Sequence, residues 1–169
     1  MTTEKTIYDT AISDGMPDIL ARMMVAQSKV ESGNYKHDFF TKGKNAFGYS
    51  YDPNSHWQLD KGGRNADNGV AIAQYENVIN STHEITHWIK RRQNDGQFPK
   101  DLNVIKTPAQ YARYLIDGAH KYYKPSREHE YILGIVFWMG SKMPAETVAG
   151  IGGIFLLIIF LILFNEKRI

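Results

Sequence analysis

Two places in this sequence combine residue types and spacings that chemistry uses. The first is Glu31. Ile19, Leu20, Met23, Met24, Gln27 and Val30 precede it at helical spacing. Pro17 suits the first turn of that helix and Gly33 the residue just past its end. Glu31 is then the last-turn residue of a mostly buried helix. The partial negative charge of a helix C-terminus disfavours a carboxylate there, and an apolar wall disfavours it further. Both raise its pKa, which is what a general acid at neutral pH requires. A solvated glutamate at a helix end is the plain alternative.

The second place is His83-Glu84-Ile85-Thr86-His87. H-E-x-x-H on a helix puts two histidines on one face with a glutamate as base, the pattern of zinc peptidases. Such a site needs a third ligand. No glutamate follows until Glu128, and no H-x-x-G-x-x-H extension exists. The same residues also spell a capping box, Ser81-Thr82-His83-Glu84, with the serine as cap and the glutamate three residues on. Ile85, Trp88 and Ile89 continue that helix, and Lys90-Arg91-Arg92 suit its C-terminal end. The capping box is the preferred reading, with no metal and no cofactor. A zinc-dependent peptidase is the alternative.

The elements that must position these residues follow from the rest of the chain. Ile7, Tyr8, Ala11 and Ile12 give residues 1–15 the face of a short first helix, with no signal peptide. Asn34 to Asn45 reads as a solvated loop. Phe47, Tyr49 and Tyr51 alternate with small or polar residues and predict a strand. Asp52-Pro53-Asn54 and Lys61-Gly62-Gly63 predict turns, and Val70 to Tyr75 a returning strand. Two helices close the domain: Pro108 to Ala119, burying Tyr111, Tyr114 and Leu115, and Arg127 to Met139, whose Tyr131, Ile132, Ile135, Val136 and Trp138 read as core.

Composition narrows the class. The 169 residues suffice for one domain with a core. Cysteine is absent, which excludes disulfides, thiolate metal sites and a cysteine nucleophile. Twenty basic and 18 acidic residues leave a net charge of +2, which argues against a nucleic-acid partner.

Several of these segments together resemble the bacterial and phage glucosaminidase family with a lysozyme-like fold. Ala26-Gln27-Ser28-Lys29-Val30-Glu31-Ser32-Gly33 is similar to its A-Q-x-x-x-E-S-G, and Asn45-Ala46-Phe47-Gly48-Tyr49 to its N-x-F-G-I/Y. Thr107 to Ala112 resembles the family's x-P-x-Q-Y-A helix start. Gly118 through Tyr122-Tyr123 resembles its G-x-Y-Y turn, and Tyr131-Ile132-Leu133 its closing helix. The likeness spans roughly residues 17 to 138, in the family's order. It implies a mainly α, α+β lysozyme-like fold with a small β-hairpin lobe, acting on peptidoglycan glycan strands. It also implies Glu31 as catalytic acid and Tyr122 or Tyr123 as the cleft tyrosine. In the family a glutamate on the hairpin is the second carboxylate; Asp67, in Asp67-Asn68-Gly69, takes that place here, with Asp60 behind it. D-N-G is also an ordinary tight turn. Gln27, Asn45, Phe47, Tyr49, Trp57 and Tyr123 are the candidate substrate contacts. Tyr49, Tyr51, Trp57 and Tyr122 offer sugar-stacking faces equally explicable as packing.

After Ser141-Lys142-Met143-Pro144, residues Thr147 to Asn165 carry no charge and are mostly Ile, Leu and Phe. At 1.5 Å per residue they span roughly 28 Å, close to a bilayer core. The expected organisation is therefore a domain over 1–140, a linker over 141–146, a single-pass C-terminal transmembrane helix over 147–165 and a basic tail over 166–169. A wall-cutting enzyme so anchored, with the lipid bilayer and other virion membrane or capsid proteins as partners, suits a phage particle with an internal membrane. A cellular wall-remodelling enzyme and a glycan-binding virion protein without catalysis are the other readings, as is a zinc-dependent peptidoglycan peptidase.

Overall fold

The computed structural model describes residues 1–64, 69–117 and 128–139. The chain divides into two units, Met1–Met139 and Gly140–Ile169, and every described element belongs to the first.

Helix α1 (Thr3–Ser13) starts at Thr2, whose hydroxyl accepts from the Lys5 amide at 3.3 Å. It buries Ile7, Thr10 and Ala11. Helix α2 (Asp18–Glu31) is the axis of the unit. Leu20, Ala21, Met23, Met24, Ala26, Gln27 and Ser28 are all buried on it, nearly all the way round, because it packs against α1 on one side and the last helices on another. Lys29 in its last turn lies 3.0 Å from Glu4 of α1 and 4.7 Å over the Trp138 ring. The loop after α2, expected to be irregular, holds a short helix α3 (Asp38–Thr41) that buries Phe40.

Helix α4 (Val78–Asn94) sets its buried face, including Ile85, Trp88 and Ile89, into the core. A 3-10 turn at Leu102–Val104 leads to α5 (Pro108–Asp117) and α6 (Glu128–Met139). Gly134 explains how closely α6 meets α2: a Cβ there would come within 2.8 Å of Val30 Cγ2. The core is continuous, from Ile7 and Leu20 through Met23, Phe47 and Ile85 to Tyr111, Leu115 and Ile135.

The sheet differs from the sequence expectation. Its first strand is β1 (Gln58–Arg64), where Lys61-Gly62-Gly63 had predicted a turn, and it pairs antiparallel with β2 (Ala71–Tyr75). The register shifts between Lys61 and Arg64, so the glycines sit in an irregular strand. The segment from Phe47 to Tyr51, expected to be a strand, touches β2 through an isolated bridge, Ser50 to Ile72. It still lies along the second edge of β2. The Tyr51 amide donates to Ala71 O at 2.8 Å and the Ala73 amide to Tyr49 O at 2.9 Å.

Two further expectations are corrected. The Ser81–Glu84 capping box is not formed, because α4 begins a turn earlier: Asn77 is the cap, accepting from the Asn80 amide at 2.9 Å, while the Ser81 hydroxyl donates to Val78 O. A capping box does form at Thr107 and Gln110, each side chain accepting from the other's amide, at 3.1 and 3.2 Å. The transmembrane helix is also corrected. Among the described residues no helix is long and apolar enough to cross a membrane. The most apolar, α6, has 12 residues, about 18 Å against the ~30 Å of a bilayer core. The expected anchor at 147–165 lies outside the described residues. Neither bilayer partnership nor a membrane localisation is supported, and the virion membrane reading that depended on them goes with them.

Candidate active site

Glu31 is the last residue of α2, as its spacing predicts. Ser32 caps the helix by its backbone, donating to Ser28 O at 3.0 Å, and Gly33 follows in the left-handed region at φ +57°. Asn34 and Tyr35 continue left-handed at φ 54° and 66°, an arrangement that needs external support. The support is visible. The Tyr35 amide donates to Ser32 Oγ at 2.9 Å, the Tyr35 hydroxyl meets Ser28 Oγ at 2.9 Å, and His37 Nδ1 lies 3.2 Å from Glu31 O. The chain is therefore pinned on both sides of the glutamate.

The Glu31 residue is half-buried, and dense packing surrounds its carboxyl. Burial pushes the carboxyl up to about 7, against the opposing pull of a hydrogen bond from Tyr131. The Tyr131 hydroxyl donates to Glu31 Oε1 at 2.8 Å. Behind this pair stands Gln27, one turn back on α2 and fully buried, whose Oε1 accepts from the Tyr111 hydroxyl at 2.6 Å. Burial raises both tyrosines' pKa, so they stay protonated donors. On the other side of the carboxyl is Gly48: a Cβ there would lie 3.5 Å from Glu31 Oε2, and its φ of +66° suits glycine. One carboxyl oxygen is thus held by a buried tyrosine and the other faces the loop before the hairpin.

The other candidates fall into different places. Gln27 joins this cluster. Asn45 is fully buried and clamps backbone: its Nδ2 donates to Tyr49 O and Ala73 O, and its Oδ1 accepts from the Tyr49 amide. Phe47 is wholly in the core, and Tyr49 is half-buried against it. Trp57 packs its ring 4.9 Å from His87 of α4. Asp60 is exposed, its Oδ1 accepting from the Lys61 amide at 2.7 Å. Asp67, Tyr122 and Tyr123 lie outside the described residues. Sequence reasoning placed Tyr131 in the core and missed it as the partner of Glu31. The signal was there in part: a tyrosine on a closing helix has a hydroxyl that needs a partner when buried.

The H-E-x-x-H segment does not build a metal site. His83 Nδ1 lies 2.8 Å from Asp14 Oδ2, an oxygen the Thr86 hydroxyl also reaches. Asp14, Trp57, His83, Thr86, His87 and Lys90 line an open cavity of about 200 Å³. Glu84 is buried and its carboxyl is held by Ser55, Gln58 and Tyr75. No group of three or more His, Cys, Asp or Glu among the described residues is placed to hold a metal ion. The zinc-peptidase reading is corrected on that ground.

No protein-family model matches the sequence, and no curated protein matches it. Membership of the glucosaminidase family, and the membrane-containing phage setting attached to it, is therefore not supported. The fold is another matter. It is similar to a structure of a type VI secretion system effector–immunity complex from Pseudomonas protegens, with TM-score 0.55 and 10% identity over 82% of this chain and 89% of that one. It is similar to a peptidoglycan hydrolase from Sphingomonas sp. A1, with TM-score 0.56 and 21% identity over 79% and 83%. It is similar to the catalytic domain of the autolysin Auto from Listeria monocytogenes, with TM-score 0.52 and 14% identity over 81% and 80%. At these identities what is shared is the fold, mainly α with a small hairpin.

Proposed function

We propose that this protein is a glycosidase that cuts the glycan strands of peptidoglycan, with Glu31 as its general acid. The observation that carries the reading is a carboxyl raised to about 7 by burial and oriented by a buried tyrosine at 2.8 Å. A carboxylic acid that keeps its proton near neutral pH and has one oxygen fixed is matched to protonating a leaving oxygen. The likeness of the fold to two wall-lytic proteins supports peptidoglycan as the substrate class.

In this reading Glu31 gives its proton to the glycosidic oxygen. The bond from that oxygen to the anomeric carbon breaks, the leaving sugar departs as an alcohol, and positive charge spreads over the anomeric carbon and ring oxygen. The anomeric carbon is then captured in one of three ways: by water that gives its proton to Asp67, by the substrate's acetamido oxygen, whose ring water then opens, or by an internal hydroxyl giving an anhydro sugar. In the last two the proton lost by the water or hydroxyl returns to the Glu31 carboxylate. Tyr122 would help orient the acetamido group or the water.

The test is digestion of purified peptidoglycan followed by mass spectrometry of the fragments. New saccharide ends from the wild-type chain, absent with Glu31→Gln, are expected. Peptide cleavage alone, or binding without cleavage, would overturn the assignment.

A further inference from the structure

We infer that Glu84 is a positioning residue for the cleft: its buried carboxylate holds the hairpin, and through it the Gly48 wall, at a fixed place over Glu31. The inference rests on the glycosidase reading and adds a residue to it.

Glu84 is 7% exposed. Its Oε2 accepts three hydrogen bonds, from Ser55 Oγ at 3.0 Å, Gln58 Nε2 at 3.1 Å and the Tyr75 hydroxyl at 3.0 Å. The donors come from the loop before the hairpin, from β1 and from β2. One oxygen of one helical residue therefore gathers the loop, β1 and β2. A buried carboxylate without partners would be strongly unfavourable, so these three donors and this acceptor depend on one another. Among the described residues no lysine or arginine forms an ion pair with Glu84.

The connection continues from the hairpin to Glu31. Gln58 also donates to Ser50 O at 3.3 Å and accepts from the Asp52 amide at 2.7 Å. Beyond β2, the Ala73 amide donates to Tyr49 O, and Asn45 Nδ2 reaches both Tyr49 O and Ala73 O. Gly48 sits between Asn45 and Tyr49 and faces Glu31 Oε2. On another face of α4, His83 and Thr86 hold Asp14 at the end of α1. The H-E-x-x-H residues thus form a two-sided bracket: the helix is fixed to α1 by one face and carries the lobe by the other. Lifting the lobe opens the Gly48 side of the Glu31 carboxyl to water.

The full chain is tested as Glu84→Ala, Glu84→Gln and Tyr75→Phe. Two readouts are used: the titration midpoint of Glu31 by carboxyl carbon NMR, and kcat/KM on purified glycan. Glu84→Ala is expected to lower the Glu31 midpoint toward the ordinary carboxylate range. It should also cut kcat/KM about a hundredfold, the scale of an ångström-size misplacement. Glu84→Gln keeps an acceptor oxygen and should restore most of both. Tyr75→Phe removes one donor of three and should shift both readouts in the same direction by less; it decides the matter if Glu84→Ala does not fold. An unchanged Glu31 midpoint in folded Glu84→Ala, or in Tyr75→Phe, overturns the inference. A wild-type chain that cuts no glycan overturns the glycosidase reading instead, and the titration still judges Glu84.

Discussion

The Tyr131 hydroxyl donates to Glu31 Oε1 at 2.8 Å across a sequence separation of 100 residues. The bond favours the ionised form of the glutamate, so it opposes the burial that holds the carboxyl at about 7. Tyr131→Phe removes the opposition, and the Glu31 pKa rises further. For a general acid the protonated form is the active one, so the alkaline limb of the kcat/KM profile should lie near 7 in the wild type and higher in the variant. The maximal rate should fall about tenfold or more, because the carboxyl loses the group that orients it. A pH–rate profile of both proteins checks this; a limb that moves down contradicts the role given to Tyr131.

Gly134 gives a second test of the same geometry. An alanine methyl would meet Val30 Cγ2 at 2.8 Å. Val30 is β-branched and stiff within its helix, so it cannot swing aside, and α6 must shift away from α2. Alanine is about 1 kcal/mol better than glycine inside a helix, and the clash must exceed that gain to show. Gly134→Ala is expected to lower Tm and to weaken activity with it, since α6 carries Tyr131. A variant that melts higher than wild type would mean that the contact relaxes freely.

How much of this could be read from the sequence depends on whether the signal was local. The helix ending at Glu31 was legible because apolar spacing, Pro17 and Gly33 all act within one element. The hairpin was misplaced because Gly62 looks like a turn residue but is a strand residue under close cover. A Cβ there would lie 3.1 Å from the Gln74 side chain. The alternation of Phe47, Tyr49 and Tyr51 is real, and the segment does lie beside β2, but it meets that strand through a single bridge at Ser50 rather than a ladder. Glu84 was assigned to a cap because Ser81 stands three residues before it. The stronger cap, Asn77, shifted the helix and turned Glu84 inward. Tyr131 was placed in the core correctly, but its hydroxyl's partner comes from another helix and no local pattern names it.

The contacts of the H-E-x-x-H residues give a test for metal. With His83 held by Asp14 and Glu84 by the hairpin, the zinc-like motif is occupied by protein partners. Dialysis against a chelator should leave both Tm and glycan cleavage unchanged, and elemental analysis should find no stoichiometric zinc. One equivalent of bound zinc with a Tm that falls on its removal would contradict this.

Asp67 separates the possible endings of the reaction. If it activates the water, Asp67→Asn should lose activity about a hundredfold or more while Glu31-dependent protonation persists. If the acetamido group or an internal hydroxyl captures the anomeric carbon, the loss should be severalfold at most. The product ends then distinguish those two, since internal attack leaves an anhydro sugar. Rates and product masses from the same digests settle the choice.

Glu31→Gln should be more stable than the wild type, and only above a certain pH. The ordinary glutamate value is 4.5 and the folded value about 7. Below about 4.5 the carboxyl is protonated in both folded and unfolded chains, and its ionisation does not affect the balance between them. Between the two values only the folded chain keeps the proton, so rising pH favours unfolding. Above about 7 the folded chain holds a buried carboxylate, at a cost of up to about 3 kcal/mol. Glutamine keeps the shape and never ionises. The Tm difference between variant and wild type should therefore be small at pH 4, open through the interval and level off above pH 7. Melts at pH 4, 6 and 8, run beside glycan digestion, give both halves of the result: a stabilised fold with no cleavage. A glutamine variant that is no more stable at pH 8 than at pH 4, relative to wild type, would mean that the Glu31 carboxyl is not held in the buried, proton-retaining state on which the catalytic reading depends.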